Sequence, residues 1–459
     1  MDKFVIEGGR PLAGRVRCAG SKNAVLPVLA AALLTDEPLI VPNAPRVADV
    51  DTMLDVLRDL GCEAAREGSR VEVRAPSRPG ERAGWENVRR MRGSVSVLGP
   101  LLGRLGRAEI SQPGGCVIGV RPIDLHLKGM RALGAEVVIE HGDAVATAPP
   151  GGLRGAEMYL GSASGSTVLG TCNVMMAACL ARGTTVIHGA ACEPEVVDVG
   201  ECLRKMGARL SGVGSPRIVI EGVERLGGTT HEVIPDRIEA GTFLLAGAMS
   251  GGEVRVDGCR PDHLTVLLER LGEARVPLRQ GEDWIASLPY DPRDPATAPR
   301  PTDVTTLPFP GFPTDLQAQW MALMTLAGGM SLITEQIYPD RYMHVAELMR
   351  MGAQIRRQGT TSIVMGPTDL SGAQVMASDL RASAALVLAG LVARGRTEVH
   401  RVYHIDRGYE RIEERLRALG AAIERTDDRE PETLPEVEIP RPQPAARTSP
   451  APSRSPAQR

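Results

Sequence analysis

The chain reads as an α/β protein made of six copies of one small unit, grouped as two domains of three. Three observations predict this. A helix-ending phrase recurs six times: L-R-D-L-G-C (57–62), M-R-A-L-G-A (130–135), L-R-K-M-G-A (203–208), L-E-R-L-G-E (268–273), L-M-R-M-G-A (348–353) and L-R-A-L-G-A (416–421). Its glycine stands where a left-handed residue ends a helix, and the spacing of roughly 65–80 residues suits a compact α/β unit rather than a solenoid repeat. Each phrase also follows a helix that is apolar nearly all round, the mark of a buried element. Finally, the sixth unit stops after Ile423 and Glu424 without its last strand, while K-F-V-I-E-G-G-R-P-L-A-G (3–14) closely matches the last strand of the third unit, R-I-V-I-E-G-V-E-R-L-G-G (217–228). The N-terminal segment therefore completes the last unit.

Within a unit the order is apolar helix, short strand, amphipathic helix, then two short strands. The apolar helices begin near K-N-A-V-L-P (22–27), G-S-V-S-V-L (93–98), S-T-V-L-G-T (166–171), A-G-T-F-L-L (240–245), T-D-L-Q-A-Q (314–319) and R-A-S-A-A-L (381–386). They are expected inside each domain with the sheets outside. One domain spans 22–230; the other spans 231–425 plus 1–21, so two strands cross between them as a hinge. Residues 288–313 form a long proline-rich loop, of the kind usually tied to function, and residues 426–459 read as a disordered Pro-rich tail.

Composition narrows the function classes. A hydrophobic content of 43% and a charged content of 24% in 459 residues describe an ordinary globular protein with ample core. A net charge of -3 and aromatics at 3% disfavour a nucleic-acid partner, which needs a basic field and stacking surfaces. The eight cysteines (18, 62, 116, 172, 179, 192, 202, 259) show no C-x-x-C pair and no metal spacing, so no metal site is expected. They read as small core residues in a reducing compartment. No stretch reaches membrane-span length and the start lacks an apolar leader, which predicts a cytoplasmic protein without a membrane partner.

Aligning the units exposes two polar positions. At the start of the buried helices stand Lys22-Asn23, Arg92, Ser164-Gly165, Arg237, Asp315 and Asp379–Arg381. Capping explains Ser164, Asp315 and Asp379 as well as function does; cations there are less suited to capping, and Lys22 with Asn23 suggests an anion site. In the loop before the amphipathic helix stand Arg46, Cys116 to Arg121, Glu193, Arg260, Arg341 and Arg407. Approximate threefold symmetry would bring these loops to one end, facing the other domain. Lys22, Arg92, Arg121, Arg341, Arg381 and Arg407 would then line a cationic cleft, suited to phosphate and carboxylate groups held by arginine forks.

These motifs carry a family resemblance. G-S-K-N-A (20–24), M-R-G-S (91–94), P-G-G-C-V-I-G-V-R-P-I-D-L-H (113–126), E-P-E-V-V-D (193–198), P-D-R-I-E-A-G-T-F (235–243), F-P-T-D-L-Q-A-Q (312–319), D-L-R-A-S-A (379–384) and H-I-D-R-G-Y-E-R-I (404–412) together resemble the UDP-N-acetylglucosamine 1-carboxyvinyltransferases, from residue 1 to about 425. The resemblance implies two inside-out α/β barrels of three units each. It implies transfer of enolpyruvyl from phosphoenolpyruvate to the 3-hydroxyl of UDP-N-acetylglucosamine with release of phosphate, the first committed step of peptidoglycan precursor synthesis. No cofactor is expected, and the protein would act as a monomer on small molecules.

Residue by residue, the resemblance makes Cys116 the proton donor on a glycine-rich loop, and Asp315 the acceptor of the hydroxyl proton. Lys22, Arg121 and Arg407 would hold phosphate; Arg341 and Arg381, with Asp379 beside them, would meet the carboxylate or the closed state. Asn23 would touch the sugar. Arg92, Arg121, Pro122, Ile123, Asp124, Leu125, the 161–165 loop with Ser164 and Gly165, and Ile337 would contact the nucleotide sugar, whose arrival would close the cleft and order residues 112–121. One departure stands out. Gly161 occupies a position where the family often has lysine, which removes a charge expected near the diphosphate. Two alternatives remain in view: a shikimate-pathway enolpyruvyl transferase, which would lack the P-G-G-C loop, and a non-catalytic nucleotide-sugar-binding paralogue, which would have lost Cys116, Asp315 or Lys22.

Overall fold

Strand pairing repeats six times in this computed structural model, which describes residues 2–112, 123–163 and 165–427. Each unit contributes three strands to a four-stranded sheet. In the first, Leu39–Val41 and Glu63–Glu67 flank Arg70–Arg74, both antiparallel to it. The fourth strand always arrives from outside the unit, parallel to the first strand. Arg82–Ala83 leaves the first unit to pair with Arg107–Ser111, Glu157–Tyr159 leaves the second to pair with Thr184–His188, and Thr229–Thr230 returns from the third to Leu39–Val41. The other three units repeat this circuit: Val304–Thr305 joins Met330–Thr334, Gln374–Met376 joins Arg396–His400, and Ala13–Arg17 joins Glu253–Asp257.

The strand absent from the sixth unit is Asp2–Glu7. It lies between Arg396–His400 and Ala422–Asp427, antiparallel to both. Phe4 and Ile6 point inward and are fully buried, so the alternation of its sequence sets its register. Ala422–Asp427 runs two residues into the segment expected to be tail. The remainder of that tail, 428–459, lies outside the described residues.

The helices pack as their composition demands. Arg381 through Val392 are all buried in the helix Leu380–Val392, and Ala24 through Ala31 in the helix Lys22–Ala31. An all-round apolar helix is stable only with protein on every side, and the sheets supply the outer layer. Two separate apolar clusters result, one from Val25 to Val233 and one joining Phe4–Cys18 to Ile238–Ile423.

Five of the six helix-ending glycines adopt positive φ, from 87° at Gly61 to 103° at Gly207. The fourth does not. There the helix Thr265–Glu273 continues through Gly272, and Arg275 takes the left-handed turn at φ 59°. The two crossings between the halves run side by side: Ser21 N donates to Ile234 O at 2.7 Å and Asp236 N to Ala19 O at 2.9 Å. Gly20 is required there, because a Cβ would sit 2.3 Å from the Asn43 carbonyl.

Candidate functional site

Asp315 is the centre on which the second half converges. A single 3₁₀ turn, Thr314–Leu316, carries it at the entry to the buried helix Gln317–Met324. It caps nothing. Instead Oδ1 accepts from Arg341 Nη1 at 2.7 Å, while Oδ2 accepts from Arg381 Nε and Nη2 at 3.2 and 3.1 Å. Asn23 Nδ2 reaches across from the first half to the same Oδ2, at 3.4 Å. Burial alone would raise this carboxyl; Arg381 and then Arg341 override it and hold Asp315 well below the usual carboxylate range. Asp379, by contrast, is a cap: its carboxylate accepts from Arg381 N and Ala382 N, which fixes the turn that presents Arg381. The Arg381 guanidinium also lies over the Tyr409 ring, 5.3 Å from its centroid, and its Nη1 is buried with no hydrogen-bond partner among the described residues.

A second carboxylate organises the phosphate candidates. Asp49, 2% exposed, lies in the first turn of the helix Ala48–Asp59. Lys22 Nζ stands 2.8 Å from its Oδ2, and Arg407 Nε donates to its Oδ1 at 2.9 Å. Desolvation works to raise Asp49, but Lys22 and Arg407 outweigh it, so the carboxyl sits below its ordinary value. Lys22 opens its helix behind a Ser21 cap, and its backbone N–H donates to Asp236. Four of the six cations predicted to line a basic cleft therefore share carboxylates in pairs, Lys22 and Arg407 on Asp49, Arg341 and Arg381 on Asp315, each pair carrying one positive charge more than its carboxylate offsets.

The nucleotide-side candidates are more dispersed. Arg92 opens a 3₁₀ stretch, Arg92–Val97, ahead of the helix Leu98–Leu105. Ile123 is buried and Asp124 exposed at the start of the helix Asp124–Ala132, with Leu125 half-buried behind it. Gly165 does not open a helix as expected. Strands Gly161–Ser162 and Gly165–Ser166 form a hairpin, and the helix Val168–Ala178 starts later, capped by Thr167. Gly165 has φ 99°, and a Cβ there would stand 2.7 Å from Pro308, so the hairpin touches the proline-rich segment that leads to Asp315. At Gly161 a Cβ would lie 2.4 Å from the Tyr159 hydroxyl. The exposed tyrosine side chain would have to move aside for a lysine at 161. Ile337 donates its N–H to Glu335 Oε1 at 2.9 Å. Cys116, Arg121, Pro122 and Ser164 lie outside the described residues.

Other polar positions resolve into structure. Arg46 pairs with Glu410, and Arg260 with Asp262. Arg237 forms a fork on Glu195, and Glu193 accepts from the Phe309 N–H at 3.4 Å, so these residues stitch the halves together. His126 is buried against Asn173, 2.8 Å from Nδ1, and burial, then Arg92, pushes it down to about 3. A ring that stays neutral in such a clamp positions the helix and does not shuttle protons. His404 stacks on Tyr403, and burial lowers it as well. Cys179 and Cys202 are pushed up to about 12 by burial and behave as core thiols. Among the described residues no cluster of His, Cys, Asp or Glu is arranged for a metal ion, and no helix is long and apolar enough to cross a membrane. Sequence reasoning missed Asp49 and Glu335. Each stood in an ordinary setting, a helix first turn and a strand end, with no local signal beyond its charge.

The mixed α/β chain belongs to the enolpyruvyl transferase family: the profile for EPSP synthase (3-phosphoshikimate 1-carboxyvinyltransferase) matches residues 6–416. A UDP-N-acetylglucosamine 1-carboxyvinyltransferase of Anaeromyxobacter sp. (strain Fw109-5) is 54% identical over 428 residues, covering 93% of this chain and 99% of the relative. A protein of the same name from Coxiella burnetii (strain Dugway 5J108-111) is 51% identical over 426 residues, 93% of this chain and 96% of its own. Among solved structures, the enolpyruvyl transferase NikO from Streptomyces tendae superposes with a TM-score of 0.83 at 26% identity, covering 93% of this chain and 99% of that one. EPSP synthase from Acinetobacter baumannii superposes at 0.68 with 18% identity, covering 93% and 100%, a likeness of fold alone.

Proposed function

We propose that this protein is a cytoplasmic, monomeric enzyme that transfers enolpyruvyl from phosphoenolpyruvate to the 3-hydroxyl of UDP-N-acetylglucosamine, releasing phosphate. The observation that carries the reading is the 54% identity over 93% of the chain with a relative of that name, since a shared fold would leave the acceptor open. The domains we assign are 22–230 and 231–425 plus 1–21, each an inside-out barrel of three units, with the crossings at 18–21 and 231–236 as hinge.

In the reaction the acceptor oxygen bonds to C2 of phosphoenolpyruvate while its proton passes to Asp315, and the Cys116 thiol gives a proton to C3. A C3 proton of the tetrahedral adduct then returns to the Cys116 thiolate while Asp315 gives its proton to the departing phosphate, which restores the double bond and both side chains. Lys22, Arg121 and Arg407 take the phosphate, and Asn23 the sugar. Asp315 clamped by two arginines is ionised but a weak base. When the substrate carboxylate draws Arg381 and Arg341 toward itself, that clamp loosens and Asp315 becomes basic enough to accept the proton. The unpartnered Arg381 Nη1 supports this docking point. Arg92, Arg121, Pro122, Ile123, Asp124, Leu125, Ser164, Gly165 and Ile337 we assign to the nucleotide sugar.

A phosphate-release assay with phosphoenolpyruvate and either UDP-N-acetylglucosamine or shikimate 3-phosphate tests the reading. Turnover with the nucleotide sugar alone supports it; turnover with shikimate 3-phosphate alone replaces it with the shikimate-pathway reaction. Cys116→Ser should lose most turnover with UDP-N-acetylglucosamine while still binding it, and Cys116→Asp should retain some, since a carboxyl also donates a proton.

A further inference from the structure

The carboxylate of Glu335 is fully buried, yet among the described residues no lysine or arginine lies within ion-pair distance of it. Four neutral donors converge on it instead. Oε1 accepts from Thr306 Oγ1 at 2.7 Å and from the backbone N–H groups of Ile337 and Tyr338, each at 2.9 Å. Oε2 accepts from Thr314 Oγ1 at 2.9 Å. A buried carboxyl group whose oxygens accept from four donors ties the segments that supply them into one arrangement.

The segments it ties matter. Thr306 and Thr314 bracket the end of the proline-rich stretch, and Thr314 is the residue before Asp315. Thr314 Oγ1 also accepts from Arg341 Nη1 at 3.0 Å, the same nitrogen that donates to Asp315 at 2.7 Å. Ile337 and Tyr338 belong to the turn that leads to Arg341. One carboxylate thus joins the turn carrying the proposed base, the turn carrying a proposed nucleotide-sugar contact, and the arginine that holds the base. Thr306 Oγ1 adds a further link by accepting from Gln336 N at 2.9 Å.

We propose that Glu335 is a positioning residue: it fixes Asp315 and the 336–338 turn relative to each other, so that the base and the acceptor sugar meet in register. This rests on the enolpyruvyl-transfer reading above. The proposed phosphate anchors Lys22 and Arg407 lie outside the network, and Arg341, assigned to the substrate carboxylate, touches it only through Thr314, so its loss should act most on the acceptor and on turnover and less on phosphoenolpyruvate binding.

The experiment measures kcat and both KM values for the full chain with Glu335→Ala, Glu335→Gln and Thr306→Val, with thermal melts of each. Misplacing a reacting group by about an ångström costs on the order of 100-fold. Glu335→Ala should therefore lose kcat by about 100-fold and raise the KM for UDP-N-acetylglucosamine, with the phosphoenolpyruvate KM raised by a clearly smaller factor. Glu335→Gln, which keeps one acceptor oxygen, should recover at least about tenfold of that loss, and Thr306→Val should show the smallest drop. Parent-like kcat and acceptor KM in Glu335→Ala would overturn the proposal. So would a loss of activity that merely follows the melting temperature and raises both KM values equally. If Glu335→Ala does not fold, the Gln and Val variants decide by the same split. A parent that releases no phosphate with either acceptor would sink the reaction itself, a separate result.

Discussion

Asp49 and Asp315 are two carboxylates that each hold two cations, and they differ in where those cations come from. Arg341 and Arg381 belong to the same half as Asp315, so that cluster is assembled when the second half folds, and among the described residues Asn23 is the hydrogen-bond donor that crosses to it. Lys22 shares a half with Asp49, but Arg407 comes from the sixth unit, on the other side. The Asp49 cluster exists only while the halves are together. Exposure differs in the opposite sense: the Asp49 side chain is 3% exposed and that of Asp315 25%. One is a sealed clasp between halves; the other is a preassembled group open to a substrate. A carboxylate that must take a proton has to be reachable, whereas one that only holds cations does not.

The largest expected effect breaks the open member. Asp315→Asn keeps the shape but removes the proposed proton acceptor, and general-base loss typically costs 10²- to 10⁴-fold, so kcat should fall by about 1,000-fold. Phosphate release under saturating substrates measures it. A fall below about tenfold would remove Asp315 from the proton step.

Breaking the clasp should act on stability first. Removing one partner of a buried pair costs about 3–5 kcal/mol, and with Lys22 and Arg407 partly exposed about 2 kcal/mol is expected for Asp49→Asn. Urea melts read this, and pH sharpens it. Asp49 is held below its ordinary 3.8, so its contribution is fully present above that value and is lost as pH falls through the folded pKa. The parent-minus-variant difference should be flat between about pH 5 and 8 and shrink below about pH 4. A difference that grew on acidification would contradict the assignment.

The smallest effect concerns the proposed nucleotide side, where neither carboxylate reaches. Gly161→Lys alone should not improve the KM for the nucleotide sugar, because Tyr159 would have to move aside. Combined with Tyr159→Ala it should lower that KM by about fivefold, the value of roughly 1 kcal/mol for an exposed charge pair. Equal KM values for the single and double variants would show that Tyr159 is not the obstacle.

How much of this was legible in the chain varied with the range of the interaction. The helix-ending glycines could be read because positive φ penalises every other residue locally, and they failed only where Arg275 took that turn in place of Gly272. The apolar helices could be read because complete burial needs an apolar surface on every side. The N-terminal strand could be read because its alternation matched a strand elsewhere in the chain. Gly165 was misplaced, since a hairpin and a helix start share small polar residues, and Thr167 two positions on supplies the cap.

The sequence by itself determined the unit, its sixfold repetition, the inside and outside of each helix and strand, and a set of cationic residues at corresponding positions. These follow from local sterics and from hydrophobic periodicity, which act over a few residues. The tertiary structure alone decided which carboxylate each cation meets. Lys22 and Arg407 stand 385 positions apart, and Asn23 and Asp315 are separated by 292. Such pairing depends on the docking of one half against the other, and no pattern along the chain encodes a distance across that interface.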